Sequence, residues 1–194
     1  MLRPVVLEGR HVRLDPLTLD HVDALAAVGL DAELWRWSPR PVRTRGEMEA
    51  YVRAALEGQG RGDTLPFATV ERATGTVVGS TRFGNAVPEH RRVEVEWTWI
   101  ARPWQRTAVN TEAKLLLLRR AFGPLGCRRV ELKTDARNDR SRRAILRLGA
   151  VEEGTLRKHM ETASGHVRDT VSFSVTDDEW PAVEAGLVAR LARP

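Results

Sequence analysis

Glu94 and Glu96, two residues apart on one extended stretch, are the side chains of this sequence best placed to move a proton. They stand in VEVEWTWI. Period-two alternation there puts Val93, Val95, Trp97 and Trp99 on one face and Glu94, Glu96, Thr98 and Ile100 on the other. Two carboxylates so close together resist ionising at once, which raises the pKa of one and suits it to accept a proton near neutral pH. Their other use is structural, as cross-strand partners of Arg91, Arg92, Arg129 or Arg168. A second chemistry follows directly. The stretch delivers a loop, Gln105, Arg106, Thr107, Ala108, Val109, Asn110 and Thr111, onto an apolar helical run, TEAKLLLL. The free N–H groups and the dipole at a helix start attract an anion. Arg106 either adds a charge for a phosphate or points to solvent. The third candidate is RNDRSRRAILRLGA, where Asn138 is a natural N-cap, Ser141 lies three residues on, and Gly149 is a natural stop.

The elements that must position these groups follow from periodicity. Val12 and Leu14 alternate with charged residues and predict an opening strand. Thr18 caps a predicted helix with Val22, Leu25, Ala26 and Leu30 on one face. The irregular segment DAELWRWSPRPVRTR follows. Its tryptophans, Trp35 and Trp37, either wall a substrate site or pack beneath the loop. A second helix carries Met48, Tyr51, Val52, Ala55 and Leu56 and is expected to close at Gly58 and Gly60. The strands PFATVERA and TVVGSTRFG, joined through Ala73–Thr74–Gly75, form an antiparallel meander with Arg91–Ile100. Helix, strand and helix come next, then the strands GTLRKHME and HVRDTVSFSV around Ser164–Gly165. A terminal helix is expected after a Thr176–Glu179 capping box, with Pro181 in its first turn. The expected fold is a mixed α/β, mostly antiparallel sheet with helices on its faces, in one domain spanning residues 1–194.

Composition narrows the class. The chain has 194 residues, 42% hydrophobic content and a net charge of +5, the excess being almost all arginine, since only Lys114, Lys133 and Lys158 are lysines. A net positive charge suits acidic ligands, yet the arginines are scattered among acids as on a solvated surface. No basic–aromatic or helix-turn-helix pattern points to nucleic acid. No apolar run approaches the ~18 residues of a membrane span, and the start MLRPVVLEGRH lacks a signal-peptide core. Cys127 is the sole cysteine and reads as a core residue. No Cys/His spacing suggests a metal. The expected location is the cytoplasm. His11, His21, His90, His159 and His166 show neither metal spacing nor a triad partner and read as surface residues. His159 and His166 flank the last hairpin, where they could reach an acceptor site.

The segment Arg91–Gly154 resembles the GNAT superfamily of acetyl-CoA-dependent N-acetyltransferases, in particular its ribosomal-protein N-terminal acetyltransferase branch, and the order of elements matches over nearly the full chain. The resemblance implies transfer of an acetyl group, or another acyl group, from coenzyme A to a primary amine of a protein N-terminus, a lysine or a small molecule. It implies direct attack without a covalent enzyme intermediate and without a metal. The family's pyrophosphate loop reads Gln/Arg-x-x-Gly-x-Gly/Ala. Here Gln105 fits the first position, while Ala108 and Asn110 replace the small residues. Alanine would be strained at positive φ, whereas asparagine tolerates it and could cap the helix. The resemblance assigns Asn138 to the pantetheine arm and places the Ser141 hydroxyl near the sulfur. It also assigns a backbone N–H near Trp99 or Ile100 to the thioester carbonyl. Glu94 falls where the branch often has an acid, so it is the expected base, with Glu96, Trp35 and Trp37 lining the acceptor side. The tyrosine that other branches use on the leaving thiolate has no counterpart at Ile145–Leu148, which leaves Ser141 as donor. Family members often form homodimers. A second reading is a non-catalytic module that binds coenzyme A or a partner.

Overall fold

Alternating apolar residues build the sheet. In the computed structural model, which describes residues 2–192, the strands are β1 (Leu7–Glu8), β2 (Val12–Pro16), β3 (Leu65–Glu71), β4 (Val77–Val87), β5 (Arg92–Ile100), β6 (Arg129–Asp135), β7 (Val151–Glu161) and β8 (Val167–Thr176). The helices are α1 (Val22–Gly29), α2 (Arg45–Gly60), α3 (Ala108–Phe122), α4 (Asp139–Leu148) and α5 (Trp180–Leu191). The strands form one eight-stranded sheet in the order β1-β2-β3-β4-β5-β6-β8-β7. Every neighbouring pair is antiparallel except β5 and β6, which are parallel. This is the mixed, mostly antiparallel α/β sheet that the sequence predicts.

Apolar layers cover both faces. Phe67 of β3 joins Phe83, Val93, Leu117, Leu118, Phe173 and Leu187 in the layer beneath α3 and α5. Its neighbour Ala68 joins Leu25, Met48, Val52 and Trp35 beneath α1 and α2. Each fully buried Leu or Phe of this kind contributes about 1.5–3 kcal/mol. Phe67 and Phe83 meet edge to face, 6.2 Å between centroids. Cys127 is buried in the first layer, as expected.

The N-terminal strands are tied to α3 by a carboxylate. Glu112 accepts the backbone N–H groups of Arg10, His11 and Val12 at 2.8, 2.6 and 2.8 Å. Gly9 makes room for it, since a Cβ there would stand 2.4 Å from the Glu112 carboxyl carbon.

Several boundaries differ from the sequence reading. The two-residue strand β1 is too short to carry a period. Helix α2 begins one residue after Thr44, which forms a capping box with Glu47, and it continues through Gly58 and Gly60 to a cap at Arg61. Buried Met48, Tyr51, Val52 and Ala55 hold the helix on the sheet, so two glycines do not stop it. Glu179 accepts the N–H of Thr176 at 2.8 Å, but α5 starts only at Trp180. Among the described residues no helix is long and apolar enough to cross a membrane.

Candidate active site

The site is made by a split in the sheet. β5 and β6 pair in parallel only through Arg92–Glu94 and Arg129–Glu131. Beyond that point β5 runs on to Ile100 and β6 to Asp135 with no pairing between them among the described residues. The edge of β5 that faces β6 therefore presents unpaired backbone groups to a wedge-shaped opening.

A bulge in β5 lies in this opening. Its register with β4 passes from Ser80↔Trp99 to Arg82↔Glu96, so Thr81 faces both Trp97 and Thr98. Trp97 takes a left-handed φ of 49°. An extra residue reverses side-chain alternation beyond it. Val93 and Val95 pack under α3 as expected, and Ile100 joins them, whereas Trp97 and Trp99 pack in the opposite layer with Trp35. This corrects the uniform alternation read from the sequence. Thr98 is turned toward α3, where it meets Lys114 Nζ at 2.6 Å and Thr81 Oγ1 at 2.7 Å. Burial lowers the Lys114 pKa to about 7.

Two cavities meet at the split. The first, of about 410 Å³, is lined by Trp35, Trp37, Asn85, Glu94, Glu96, His159 and Arg168 among others. The second, of about 720 Å³, runs along Ile100, Gln105, Arg106, Asn110 and α4. Glu96, Trp97, Thr98, Trp99, Lys133, Asn138 and Ser141 belong to both. Ser141 and Glu96 therefore stand where a ligand of one cavity would touch a ligand of the other.

The two glutamates differ in environment. Glu94 is 5% exposed and accepts hydrogen bonds from Lys133 Nζ at 2.8 Å and Asn85 Nδ2 at 2.7 Å. Glu96 makes no side-chain hydrogen bond among the described residues. Its pKa is raised to about 7, first by burial and then by the charge of Glu94, against the opposing charges of Arg82 and Lys133. Gly84 supplies its space, because a Cβ there would lie 2.2 Å from Glu96 Oε1. Arg82 is buried over the rings of Tyr51 and Trp97, 5.0 and 5.1 Å from their centroids. The Tyr51 hydroxyl sits behind the bulge, 3.5 Å from Ser80 Oγ and the Trp97 carbonyl, and lines neither cavity.

In the loop before α3 the left-handed residue is Arg106, with φ 62°, and not Ala108. Ala108 is the first helical residue and Asn110 lies in the first turn, so neither is strained. Thr107, not Asn110, caps α3, accepting from the Val109 N–H at 3.3 Å. Gln105 ties the loop down, donating to the Ile100 carbonyl at 2.8 Å and accepting from Arg140 at 3.2 Å. Gln105, Arg106 and Asn110 line the larger cavity, but Thr107, Ala108, Val109 and Thr111 do not, and Val109 is turned into the core. Asn138 caps α4 through its Oδ1, which accepts the Ser141 N–H at 3.1 Å. Gly149 closes that helix at φ 103°.

Trp35 packs beneath the loop and also lines the smaller cavity. It lies 5.4 Å from Tyr51 and 5.5 Å from Trp99 and donates to the Gly29 carbonyl at 2.6 Å. Trp37 lies between the guanidiniums of Arg36 and Arg137, each 5.0 Å from its ring. His159 lines the cavity, while His166 is held 3.1 Å from Asp135. The larger cavity also has a basic wall that the sequence reading did not single out, Arg140, Arg143 and Arg147 of α4. Their i, i+3, i+7 spacing marks one helical face, and that was the available signal. Lys133 and Asn85 carry no mark in the sequence, and Arg168, expected only as a cross-strand partner of the glutamates, makes no such pair among the described residues. Among the described residues no group of three or more His, Cys, Asp or Glu could hold a metal ion.

The family pattern described as Acetyltransferase (GNAT) domain matches residues 11–151. A solved structure of a putative acetyltransferase from T. thermophilus is 39% identical, with a TM-score of 0.90 over 98% of this chain and 99% of that one. A putative ribosomal N-acetyltransferase of Bacillus subtilis, YdaF, is 29% identical over 106 residues, which make up 55% of this chain and 57% of that protein. The structure of Mycobacterium smegmatis RimJ in complex with CoA-disulfide shares the fold, with a TM-score of 0.80 at 23% identity over 96% of this chain and 92% of that one. The chain belongs to the GNAT acetyltransferase family and is an N-acetyltransferase of that family.

Proposed function

We propose that the chain transfers an acetyl group, or another acyl group, from acyl-CoA to the primary amine of a protein N-terminus, a lysine or a small molecule. The observation that carries this reading is the meeting of two cavities at Ser141 and Glu96. The larger one fits coenzyme A. Arg106, Arg140, Arg143 and Arg147 offer cations to its phosphates, and the start of α3 adds its dipole. The split between β5 and β6 suits the pantetheine arm, with Asn138 beside it. That the mycobacterial RimJ of the same fold is in complex with CoA-disulfide supports coenzyme A as the ligand. The branch named in the sequence reading is supported by the ribosomal N-acetyltransferase relative.

Acyl-CoA supplies a thioester already activated for attack. The smaller cavity would hold the acceptor, walled by Trp35 and Trp37. An ammonium cannot attack, so one carboxylate must take its proton. We place that role on Glu96, with Glu94 beside it. Lys133 and Asn85 occupy Glu94, whereas Glu96 has a free carboxylate with a pKa of about 7, the range where a general base works best at neutral pH. A backbone N–H of β5 at the split, near Trp99 or Ile100, would polarise the carbonyl. Ser141 would donate to sulfur as its charge develops.

The test is binding followed by turnover. Coenzyme A at a hundredfold excess over its Kd should stabilise the protein by about 2.7 kcal/mol. Thiol release from acetyl-CoA should then depend on an added amine. A melting temperature indifferent to millimolar coenzyme A would remove the proposal.

A further inference from the structure

Arg168 of β8 lines the smaller cavity and is 8% exposed. Its Nε is buried without a hydrogen-bond partner, and the side chain makes no salt bridge among the described residues. Arginine carries five N–H donors and stays protonated in proteins, so it cannot escape burial by losing its charge. The carboxylates near enough to act on it are Asp135 and Glu94. Both are already engaged. Asp135 accepts from His166 and the Arg137 N–H, at 3.1 and 2.9 Å, and Glu94 is held by Lys133 and Asn85. Arg82, comparably buried, at least faces two aromatic rings. Arg168 has no such neighbour among the described residues.

A cavity wall that keeps a buried cation without a partner is built for an anion that arrives with a ligand. The same cavity holds Glu96, where an amine would bind, and Lys133, whose charge is already matched by Glu94 and Glu131. One uncommitted guanidinium beside two carboxylates favours a ligand bearing a single negative charge over a dianion. We infer that Arg168 is a specificity residue that binds a carboxylate carried by the acyl acceptor, so that the acceptor is an amine with a carboxylate close by. This rests on the acyltransferase reading for the amine end. A free amino acid and a peptide N-terminus followed by an acidic side chain share this chemistry.

Binding distinguishes the two sources without requiring turnover. With saturating coenzyme A, calorimetric titration would compare N-acetylglycine with N-acetylglycinamide, and acetyl-Ala-Glu-Ala-amide with acetyl-Ala-Gln-Ala-amide. In at least one pair the carboxylate should bind about tenfold or more tightly. The pair that shows the preference identifies the source. Arg168→Gln should abolish the preference and Arg168→Lys should restore part of it, both with unchanged affinity for coenzyme A. Equal affinities within both wild-type pairs would overturn the inference even if neither variant folds, as would a preference that survives in folded Arg168→Gln. Preference for a carboxylate without transfer to any amine would instead count against the acyltransferase reading, and with it the acceptor's amine, while keeping Arg168 as a carboxylate site.

Discussion

Lys133 holds its Nζ 2.8 Å from Oε2 of Glu94, and this contact leaves the two neighbouring glutamates of β5 differently partnered. The paired one is held in place by Lys133 and Asn85. The other, Glu96, is left with a raised pKa.

Glu96→Gln should lower turnover by roughly a hundredfold or more with unchanged affinity for coenzyme A. In the wild type the rate should fall about tenfold per pH unit below a midpoint near 7, because protonated Glu96 cannot accept a proton. A carboxyl whose pKa is raised on folding favours the native state at low pH, and that advantage is lost as pH rises through the folded value. The glutamine variant should therefore be relatively more stable at pH 8, by about 1 kcal/mol or more. Glu94→Gln should keep most of the turnover and move the acidic limb downward, since it removes the charge that raises Glu96. A limb that stays in place in Glu94→Gln would show that Glu94 does not raise Glu96, and full activity in Glu96→Gln with loss of turnover in Glu94→Gln would return the base to Glu94.

Gly84→Ala addresses the same base from behind. Its Cβ would stand 2.2 Å from Glu96 Oε1, at the movable end of a side chain. The variant should fold and bind coenzyme A normally yet lose turnover, because the carboxylate is pushed from its position. Unchanged kinetics would show that the position of Glu96 is immaterial.

Ser141→Ala should lower kcat and kcat/KM together and spare coenzyme A affinity, as expected for a donor that acts in the transition state. A charge-assisted hydrogen bond of about 1.5–3 kcal/mol corresponds to about a ten- to hundred-and-fifty-fold loss. If the rate per folded molecule stays at the wild-type level, Ser141 serves only the first turn of α4.

Arg106→Gly should move stability and affinity in opposite directions. Arg106 has a left-handed φ of 62°, which costs an ordinary residue about 1 kcal/mol and glycine almost nothing. The free protein should melt at or above the wild-type temperature, while coenzyme A binding weakens through loss of a charge. Unaltered affinity would assign Arg106 to the solvated surface.

The sequence made the sheet, the α3 loop and the Asn138–Ser141 pair legible because each is local: a period, a cap and a spacing. It did not reveal the bulge at Trp97. VEVEWTWI alternates without a break, and the extra residue is defined only by β4 opposite. For that reason the period places Trp97 and Trp99 on the face of Val93 and Val95, and the sequence puts the base on Glu94 with Glu96 on the acceptor side. The difference between them is set by Lys133 and Asn85, which arrive from other strands. Arg168 was likewise indistinguishable from a surface arginine, since its lack of a partner is a property of the cavity and not of its neighbours in sequence. The family's glycine pattern allows a left-handed position at Ala108 or Asn110, whereas it falls at Arg106.

The carboxylate of Glu112 gives the chain a particular order of events during its own synthesis. The N–H groups of Arg10, His11 and Val12 find their acceptor 102, 101 and 100 residues downstream, so these three bonds cannot form until Glu112 has been made. Contacts of such long range slow folding. The three amides therefore wait for α3, and a nascent chain halted before residue 112 should leave them exchanging freely with solvent.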